Sequence, residues 1–279
     1  MFEFFKRRRI DPKKRLVESL GDLSLPAFSA ATMNTLRLLR NPDATPDRIA
    51  ASIEINPGVV VRMLQMVNSA AYGLVGRVDR VAHALNLLGR GQVESLVVAL
   101  AVKGSLDKAA KGAATAGFWR AAAERASLAR GLAALLHPER QSESFVAGLL
   151  QDMAVPLLVR AQPEGYEPLV RRWLTGPGEL DDLERAHYGW DHSEIGACLA
   201  AHWELPQSLA QAIGGHHDDD DSIPPAVYLA SYVKQSRGGR DLEPMVYTAR
   251  DRFGVAEDRV VDTINEAWAR AESLASLLS

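Results

Sequence analysis

The histidines of this 279-residue chain are the residues most suited to chemistry, and five of the seven fall between residues 187 and 217. Imidazole binds transition metals and titrates near neutral pH, so such a group could form a metal site or an acid–base site. His192 stands at a predicted helix start, and His216 and His217 follow a Gly-Gly helix stop, where side chains can converge. The other histidines considered are interpreted as capping or surface residues: His137, His187 and His202.

The elements that must position these residues belong to a chain of ordinary globular composition, with 47% hydrophobic and 24% charged residues. The net charge of −3 argues against a generic nucleic-acid binder. The longest strictly apolar run, residues 96–102, is too short to cross a bilayer, and we expect no secretory signal peptide. Cys198 is the only cysteine, which excludes an intramolecular disulfide and fits the cytoplasm.

The N-terminal end of the chain carries a cluster of positive charges, and one predicted loop carries a run of negative charges. Seven positive charges lie within residues 6–15, after three phenylalanines. Such a segment could make a weak contact with an anionic membrane or a nucleic acid, but we favour a solvated terminus, because one short basic cluster binds weakly. The acidic run at residues 218–221 is interpreted as a solvated loop.

Helical periodicity and Pro-marked turns run through almost the whole chain and predict an all-α fold. Residues 93–102 could form a strand, but no partner run exists, so a buried helix is favoured. A small-residue-rich stretch at 108–117 marks the best boundary. We predict four segments: a basic tail with a short helix (1–19), an N-terminal helical unit (20–107), a second helical unit (108–235) and C-terminal helices (236–279).

Several short motifs follow one another in a fixed order. The most recognisable spans residues 67–73 and contains Asn68, Ser69, Tyr72 and Gly73. Others end at Gly89 or contain Trp119, and further motifs cover residues 145–152, 188–196 and 203–206. As an ordered set they resemble the HDOD family, bacterial signalling relatives of the HD-type metal-dependent phosphohydrolases. The resemblance covers about residues 20–218 and implies an N-terminal helical bundle packed on an HD-like helical unit.

The motif at residues 67–73 has a structural and a functional interpretation. Asn68 and Ser69 can satisfy free carbonyls at a helix end, and Gly73 permits a left-handed stop. We favour a helix terminus packed against the second unit over a ligand site, because capping residues are expected at any helix stop. Trp119 is expected to be buried at the start of a core helix of the HD-like unit.

The resemblance also implies where metal ligands would stand. Active HD enzymes need a first histidine, a His-Asp pair and a late aspartate, and the matching positions here hold Ala121, Gln151-Asp152 and Ser231. Only Asp152 of that set remains, so we expect no catalytic residue, no bound metal and no cofactor. His192, His216 and His217 resemble additional histidines of the HD-GYP branch.

Asp152 then needs another role. We expect it to pair with His192, His216 or His217 in a structural network, with a small ligand in the emptied pocket as the minority alternative. Three imidazoles can suffice for zinc in a rearranged site. Against that site, His216 and His217 are adjacent, and we expect neighbouring side chains to diverge.

These observations predict a non-catalytic HDOD signalling or adaptor protein of the bacterial cytoplasm. It would bind protein partners in a signalling pathway and could bind a small nucleotide-like ligand. No specific nucleic acid and no transmembrane segment are expected, and any membrane contact would come from the basic N-terminus. The alternative is an active HD-type phosphohydrolase acting on nucleotides or cyclic dinucleotides.

Overall fold

The computed structural model describes residues 10–23, 25, 27–69, 76–109, 114–176, 178–234 and 242–278. Within these ranges every regular element is a helix, and the predicted all-α fold is confirmed. The described helices share a main hydrophobic core that runs through both predicted units, with a second core cluster towards the C-terminus.

The first five helices are α1 (Pro12–Leu20), α2 (Ala30–Arg40), α3 (Pro46–Glu54), α4 (Pro57–Val67) and α5 (Val81–Ala109). The first four have the side-chain caps that Asx, Ser and Thr residues supply. The capping residues, each accepting a backbone N–H of the first turn, are Asp11, Ser29, Thr45 and Asn56. Proline at the first position of three of them needs no hydrogen-bond partner there, which explains why these starts were predictable.

Helix α5 is interrupted at Gly89, which has a φ of 77° inside the helical stretch. Glycine adopts this left-handed region at little cost, so the chain turns there and then resumes a helix. The second part contains residues 93–102, whose side chains are largely buried. The strand alternative for that run is therefore wrong, and the buried helix is confirmed.

Helix α6 (Ala114–Leu136) precedes a short 3₁₀ turn (Pro138–Arg140), and the later helices of the described ranges follow that turn. These later helices are α7 (Gln141–Leu150), α8 (Val155–Ala161), α9 (Pro163–Thr175), α10 (Leu180–Tyr188), α11 (His192–His202), α12 (Gln207–Gly214), α13 (Pro225–Ala230), α14 (Glu243–Phe253) and α15 (Glu257–Leu278).

Helices at the two ends pack on distant parts of the chain. Helix α1 contacts α11 and α8 of the second unit, and Arg15 forms a 2.5 Å ion pair with Glu194 of α11. Helix α15 lies along α6 and also touches α4. The predicted segment boundaries remain predictions, because helices on both sides of them share contacts.

Two helical stretches, Val81–Ala109 and Pro138–Ala161, are long and apolar enough to cross a membrane by length and composition. The apolar windows of these stretches are 44% and 83% buried inside the protein. Core helices of soluble proteins meet the same criterion, so the expected absence of a transmembrane segment stays a prediction.

Candidate functional site

Asp152 lies at the centre of a buried charged cluster. It follows α7, which ends at Leu150, and its carboxylate faces three cationic or titratable side chains. Its Oδ2 lies 3.0 Å from Nη1 of Arg125, and its Oδ1 lies 3.3 Å from Nε2 of His216 and 3.5 Å from Nε2 of His192. The structure thus brings Asp152 together with two of the histidines expected to pair with it.

Close packing of α6 on α7 places Arg125 beside Asp152. A Cβ atom added at Gly148 of α7 would lie 2.9 Å from the carbonyl oxygen of Arg125, so only glycine allows this approach. Arg125 is fully buried, and its Nη1 also donates to the carbonyl of Val233. Sequence analysis missed Arg125. The available signal was a charged residue among the alanines 121–123 and 126 of a core helix.

Glu184 of α10 orients His192, and sequence analysis missed it as well. Asp191 caps α11 and so fixes the first residue of that helix, His192. Oε2 of Glu184 accepts the backbone N–H of His192 at 2.8 Å and lies 2.7 Å from Nδ1 of its ring. The hydroxyl of Tyr166 donates to the other carboxylate oxygen of Glu184. Only helix packing brings α9, α10 and α11 into this contact.

His216 and His217 lie in the turn after α12, and both rings turn towards His192. Their ring centroids are 4.0 Å apart, and Nε2 of His217 lies 3.1 Å from Nε2 of His192. Nδ1 of His216 lies 2.7 Å from the carbonyl of Ile213. The expectation that these adjacent side chains diverge is therefore wrong, because they stand on a turn rather than on regular helix or strand.

Charges in the cluster strongly influence one another. Burial alone would lower the pKa of His192, but the carboxylates of Glu184 and Asp152 outweigh it and hold that pKa well above its usual value. Burial would raise the pKa of Asp152, but Arg125 and the histidines hold it well below the usual value. Burial and the neighbouring imidazoles push the pKa of His217 well below its usual value. The cluster therefore favours a neutral His217 beside a charged His192.

The positions that would hold a hydrolytic metal in an HD enzyme do not fit one here. Ala121 is buried and offers no ligand, and the hydroxyl of Ser231 donates to the carbonyl of Tyr228. Gln151 is buried, and its Oε1 has no hydrogen-bond partner within the described ranges. The buried Arg125 side chain lies beside Asp152, and a small ligand at this place stays a prediction.

A cleft elsewhere on the protein is lined by charged side chains. It measures about 480 Å³ and lies between α6, α7 and α15. Three arginines line it, together with two carboxylates on α15: Arg130, Arg259 and Arg270, with Asp262 and Glu266. Within the cleft, Glu266 pairs with Arg270 at 2.8 Å. The small nucleotide-like ligand was predicted for the pocket beside Asp152 rather than for this cleft, and it stays a prediction.

Asn68 joins the end of α4 to Val78, which lies shortly before α5. It is the C-cap residue of α4, and its side-chain amide donates to the carbonyls of Leu64 and Val78, each at 2.7 Å. Its Oδ1 accepts the backbone N–H of Val78 at 2.8 Å. Ser69 donates to the carbonyl of Met66 at 2.7 Å. The other two residues of this motif, Tyr72 and Gly73, lie outside the described residues.

Trp119 joins the end of α5 to the start of α6. Its ring is buried, its Nε1 donates to Oδ1 of Asp107 at 3.2 Å, and Nζ of Lys103 lies 5.1 Å from its ring centroid. Lys103 is itself buried and lies 2.5 Å from Oδ2 of Asp107. Together these three side chains tie the two long helices together on either side of the predicted boundary.

Three comparisons place the chain among known proteins. The sequence model of one family, described as the HDOD domain, matches residues 25–219. An uncharacterized protein of Treponema pallidum (strain Nichols) is 26% identical over 212 residues, which are 73% of this chain and 40% of that protein. The chain thus spans about two fifths of the length of this relative.

Solved structures share the fold. A candidate phosphohydrolase of Shewanella amazonensis SB2B superposes with a TM-score of 0.73 at 21% identity, covering 96% of this chain and 98% of that one. An HDOD domain protein of unknown function from Geobacter sulfurreducens gives 0.70 at 19%, covering 96% and 99%. A candidate signal transduction protein of Marinobacter aquaeolei VT8 gives 0.70 at 20%, covering 99% and 66%. At these identities the similarity establishes the fold alone.

Proposed function

The chain belongs to the HDOD domain family, and from that premise we propose that it is a non-catalytic signalling adaptor of the bacterial cytoplasm that acts by binding protein partners. The observation that supports the non-catalytic part of this proposal is the buried pair between Arg125 and Asp152. Asp152 is the one residue of the HD ligand set that remains in this sequence. One of its two carboxylate oxygens forms an ion pair with the guanidinium of Arg125, which is itself fully buried.

Hydrolysis by a metal enzyme needs about three protein ligands and an open position for water on the ion. Ala121, Gln151 and Ser231 offer no strong ligand at the positions where such an ion would bind. The Arg125 cation adjoins the one remaining carboxylate, and a cation there repels an incoming metal ion. These features support a domain that has kept the HD-like scaffold without the hydrolytic chemistry.

The direct test is an activity assay. The full chain, supplied with Mn²⁺, Fe²⁺ or Mg²⁺, is incubated with cyclic dinucleotides and a generic phosphodiester, and product formation is followed. We expect no turnover above the rate without protein. Turnover that is lost in Asp152→Asn and kept in Asp182→Asn, a matched change at an exposed carboxylate of α10, would establish the phosphohydrolase instead.

Partner binding is tested separately, with the full chain as bait in lysate of a bacterium that carries it. We expect at least one protein to be enriched over an unrelated helical bait of similar size and net charge. Recombinant candidate and full chain should then form a complex measurable by calorimetry in the absence of any added nucleotide. If no enriched protein binds in that purified assay, the adaptor proposal fails.

A further inference from the structure

Helix α1 lies on a surface formed by α11 and α8, and we propose that it is a displaceable internal ligand of that surface, whose place a basic amphipathic helix of a protein partner can take. The inference deepens the adaptor function and rests on it for the existence of a partner, whereas the release of α1 does not depend on that function. The family match begins at residue 25, so α1 lies outside it and covers helices that lie within it.

One side of α1 is apolar and buried. Leu16 and Leu20, four residues apart, are buried together with Ile10, which precedes the helix, and all three belong to the main hydrophobic core. Val17 and Lys13, on the opposite side, are exposed. A helix that lays such an apolar face into a hydrophobic groove is a recurring mode of peptide recognition. Helix α1 therefore contacts the second unit in the manner of a bound peptide.

Polar contacts also hold α1 in place, and its release leaves no charge buried alone. Nε of Arg15 lies 2.5 Å from Oε1 of Glu194 on α11, and Nε2 of Gln162, directly after α8, donates to the carbonyl of Ser19 at 2.6 Å. Nη1 of Arg15 lies 3.2 Å from Oε2 of Glu18 in its own helix. On release Arg15 keeps Glu18, and water reaches Glu194. The high cost of an unpaired buried charge is thus avoided.

The chain between α1 and α2 allows this release without unfolding α2. Helix α1 ends at Gly21, whose φ of 55° glycine adopts at little cost, and Gly21 and Asp22 are exposed. Further along, the ring of Phe28 stacks on Trp203 with centroids 5.4 Å apart and holds the chain in place before α2. Helix α1 has nine residues, too few for a stable helix in water, so it needs the surface in order to stay folded.

Charge identifies the kind of helix that the surface takes. Residues 1–20 contain seven Lys or Arg and three Asp or Glu, whereas the rest of the chain contains 25 and 32. The rest therefore has a net charge of −7 and attracts a basic segment, with Glu194 as the local carboxylate. A partner helix with two apolar residues four apart and a basic residue directly before the first would reproduce the contacts of Arg15, Leu16 and Leu20.

Cys198 reports whether the surface is covered. It lies one helical turn after Glu194 on α11, so the two side chains share a face of that helix, and the thiol is fully buried. Burial and the Glu194 charge raise the pKa of the thiol, and the Arg15 charge opposes them, as expected for a thiol close to α1. Cys198 is the only cysteine of the chain, so reaction with a thiol reagent measures access to this face.

The first experiment follows the reaction of Cys198 with Ellman's reagent in the full parent chain, in Leu16→Ala and in Val17→Ala, with urea unfolding of each. Val17→Ala is the matched change on the exposed side of the same helix. We expect the reaction to be at least about 10-fold faster in Leu16→Ala and unchanged in Val17→Ala, because local opening gives access to the thiol. The main urea transition should be the same in all three, because α1 leaves before it.

The second experiment supplies the occupant from outside. A fluorescent synthetic peptide of residues 10–22 is titrated with the full parent chain and with full-chain Leu16→Ala. We expect at least about 10-fold tighter binding to Leu16→Ala, because its own α1 competes less for the surface. A peptide that carries Leu16→Asn should not bind, and one that carries Val17→Asn should bind as the unaltered peptide does. The partner captured from lysate should show the same preference for full-chain Leu16→Ala.

Two results would overturn the inference: Cys198 reactivity that changes only in step with the global free energy of unfolding, or a peptide that binds neither chain. If Leu16→Ala does not fold, Arg15→Ala with its charge-matched control Lys13→Ala replaces it in both experiments. If α1 is released and the peptide binds but no partner is captured, the adaptor proposal fails and the docking surface stands. A captured partner that binds parent and Leu16→Ala equally, with unchanged Cys198 reactivity, rejects the surface and leaves the adaptor proposal standing.

Discussion

Arg125 of α6 and Asp152, in the turn that follows α7, form a buried ion pair with Nη1 of the guanidinium 3.0 Å from Oδ2 of the carboxylate. Burial lowers the pKa of Arg125, and the Asp152 charge opposes that effect. Charges buried this deeply are tolerated only when they are paired, because removal from water costs several kcal/mol per ion. The pair therefore makes α6 and α7 depend on each other.

Replacing Arg125 by Met keeps most of the side-chain volume and removes the guanidinium that pairs with the Asp152 carboxylate. We expect a loss of about 3–5 kcal/mol in the free energy of unfolding, measured by urea denaturation. Arg120→Met, at an exposed position of the same helix, should change stability by no more than about 0.5 kcal/mol. A loss below about 1 kcal/mol for Arg125→Met would mean that Asp152 does not need this partner.

Asn68→Ala removes the hydrogen bonds that join the end of α4 to Val78. Both backbone groups of Val78 lose this partner, while the carbonyl of Leu64 keeps the backbone N–H of residue 68, so the free energy of unfolding should fall by about 1–3 kcal/mol. The matched change Asn34→Ala, at an exposed position of α2, should be neutral or slightly stabilising. Equal thermal midpoints for the two variants would contradict the bridging role of Asn68.

Trp119→Ala should cost about 3–5 kcal/mol, because the indole is 2% exposed and its removal leaves a cavity between α5 and α6. Asp107→Ala removes only the hydrogen bond to Nε1 and the partner of Lys103, and should cost less than the loss of the ring. Chemical denaturation of both variants measures the difference. A thermal midpoint of Trp119→Ala within about one degree of the parent would contradict the burial of the ring.

The raised pKa of the buried Tyr166 hydroxyl leads us to expect a loss of stability at alkaline pH. Burial and the adjacent Glu184 charge raise the pKa of Tyr166 well above its usual value, so the folded chain keeps a proton that the unfolded chain releases above about pH 10. The stabilisation is complete below that pH and is lost as pH rises towards the folded-state pKa, by up to about 1.4 kcal/mol per pH unit.

Urea midpoints between pH 8 and about 11 test this dependence. Tyr166→Phe should show a shallower alkaline fall than the parent chain, whereas Tyr247→Phe, at a side chain that is 58% exposed, should show the parental slope. Parallel pH profiles for the parent and Tyr166→Phe would show that the Tyr166 hydroxyl does not contribute.

The amino-acid sequence by itself determined the helical architecture and the family. Helix starts at Pro12, Pro46 and Pro57 were predictable because capping acts within one turn: Asp11, for example, accepts N–H groups two and three residues further along. The order of the short motifs was equally readable, since it depends on the linear chain alone. His192, His216, His217 and Asp152 were recognised in that way as one set.

Only the tertiary structure decided how those residues meet. Arg125 and Glu184 were not predicted, because nothing within a helical turn of either one shows that it faces Asp152 or His192. The divergence expected for His216 and His217 was wrong because a turn, unlike a helix or strand, does not impose a regular direction on successive side chains. Contacts between residues 125, 152, 184, 192 and 217 depend on the packing of five chain segments, and that packing minimises the free energy of the whole core rather than of any local stretch.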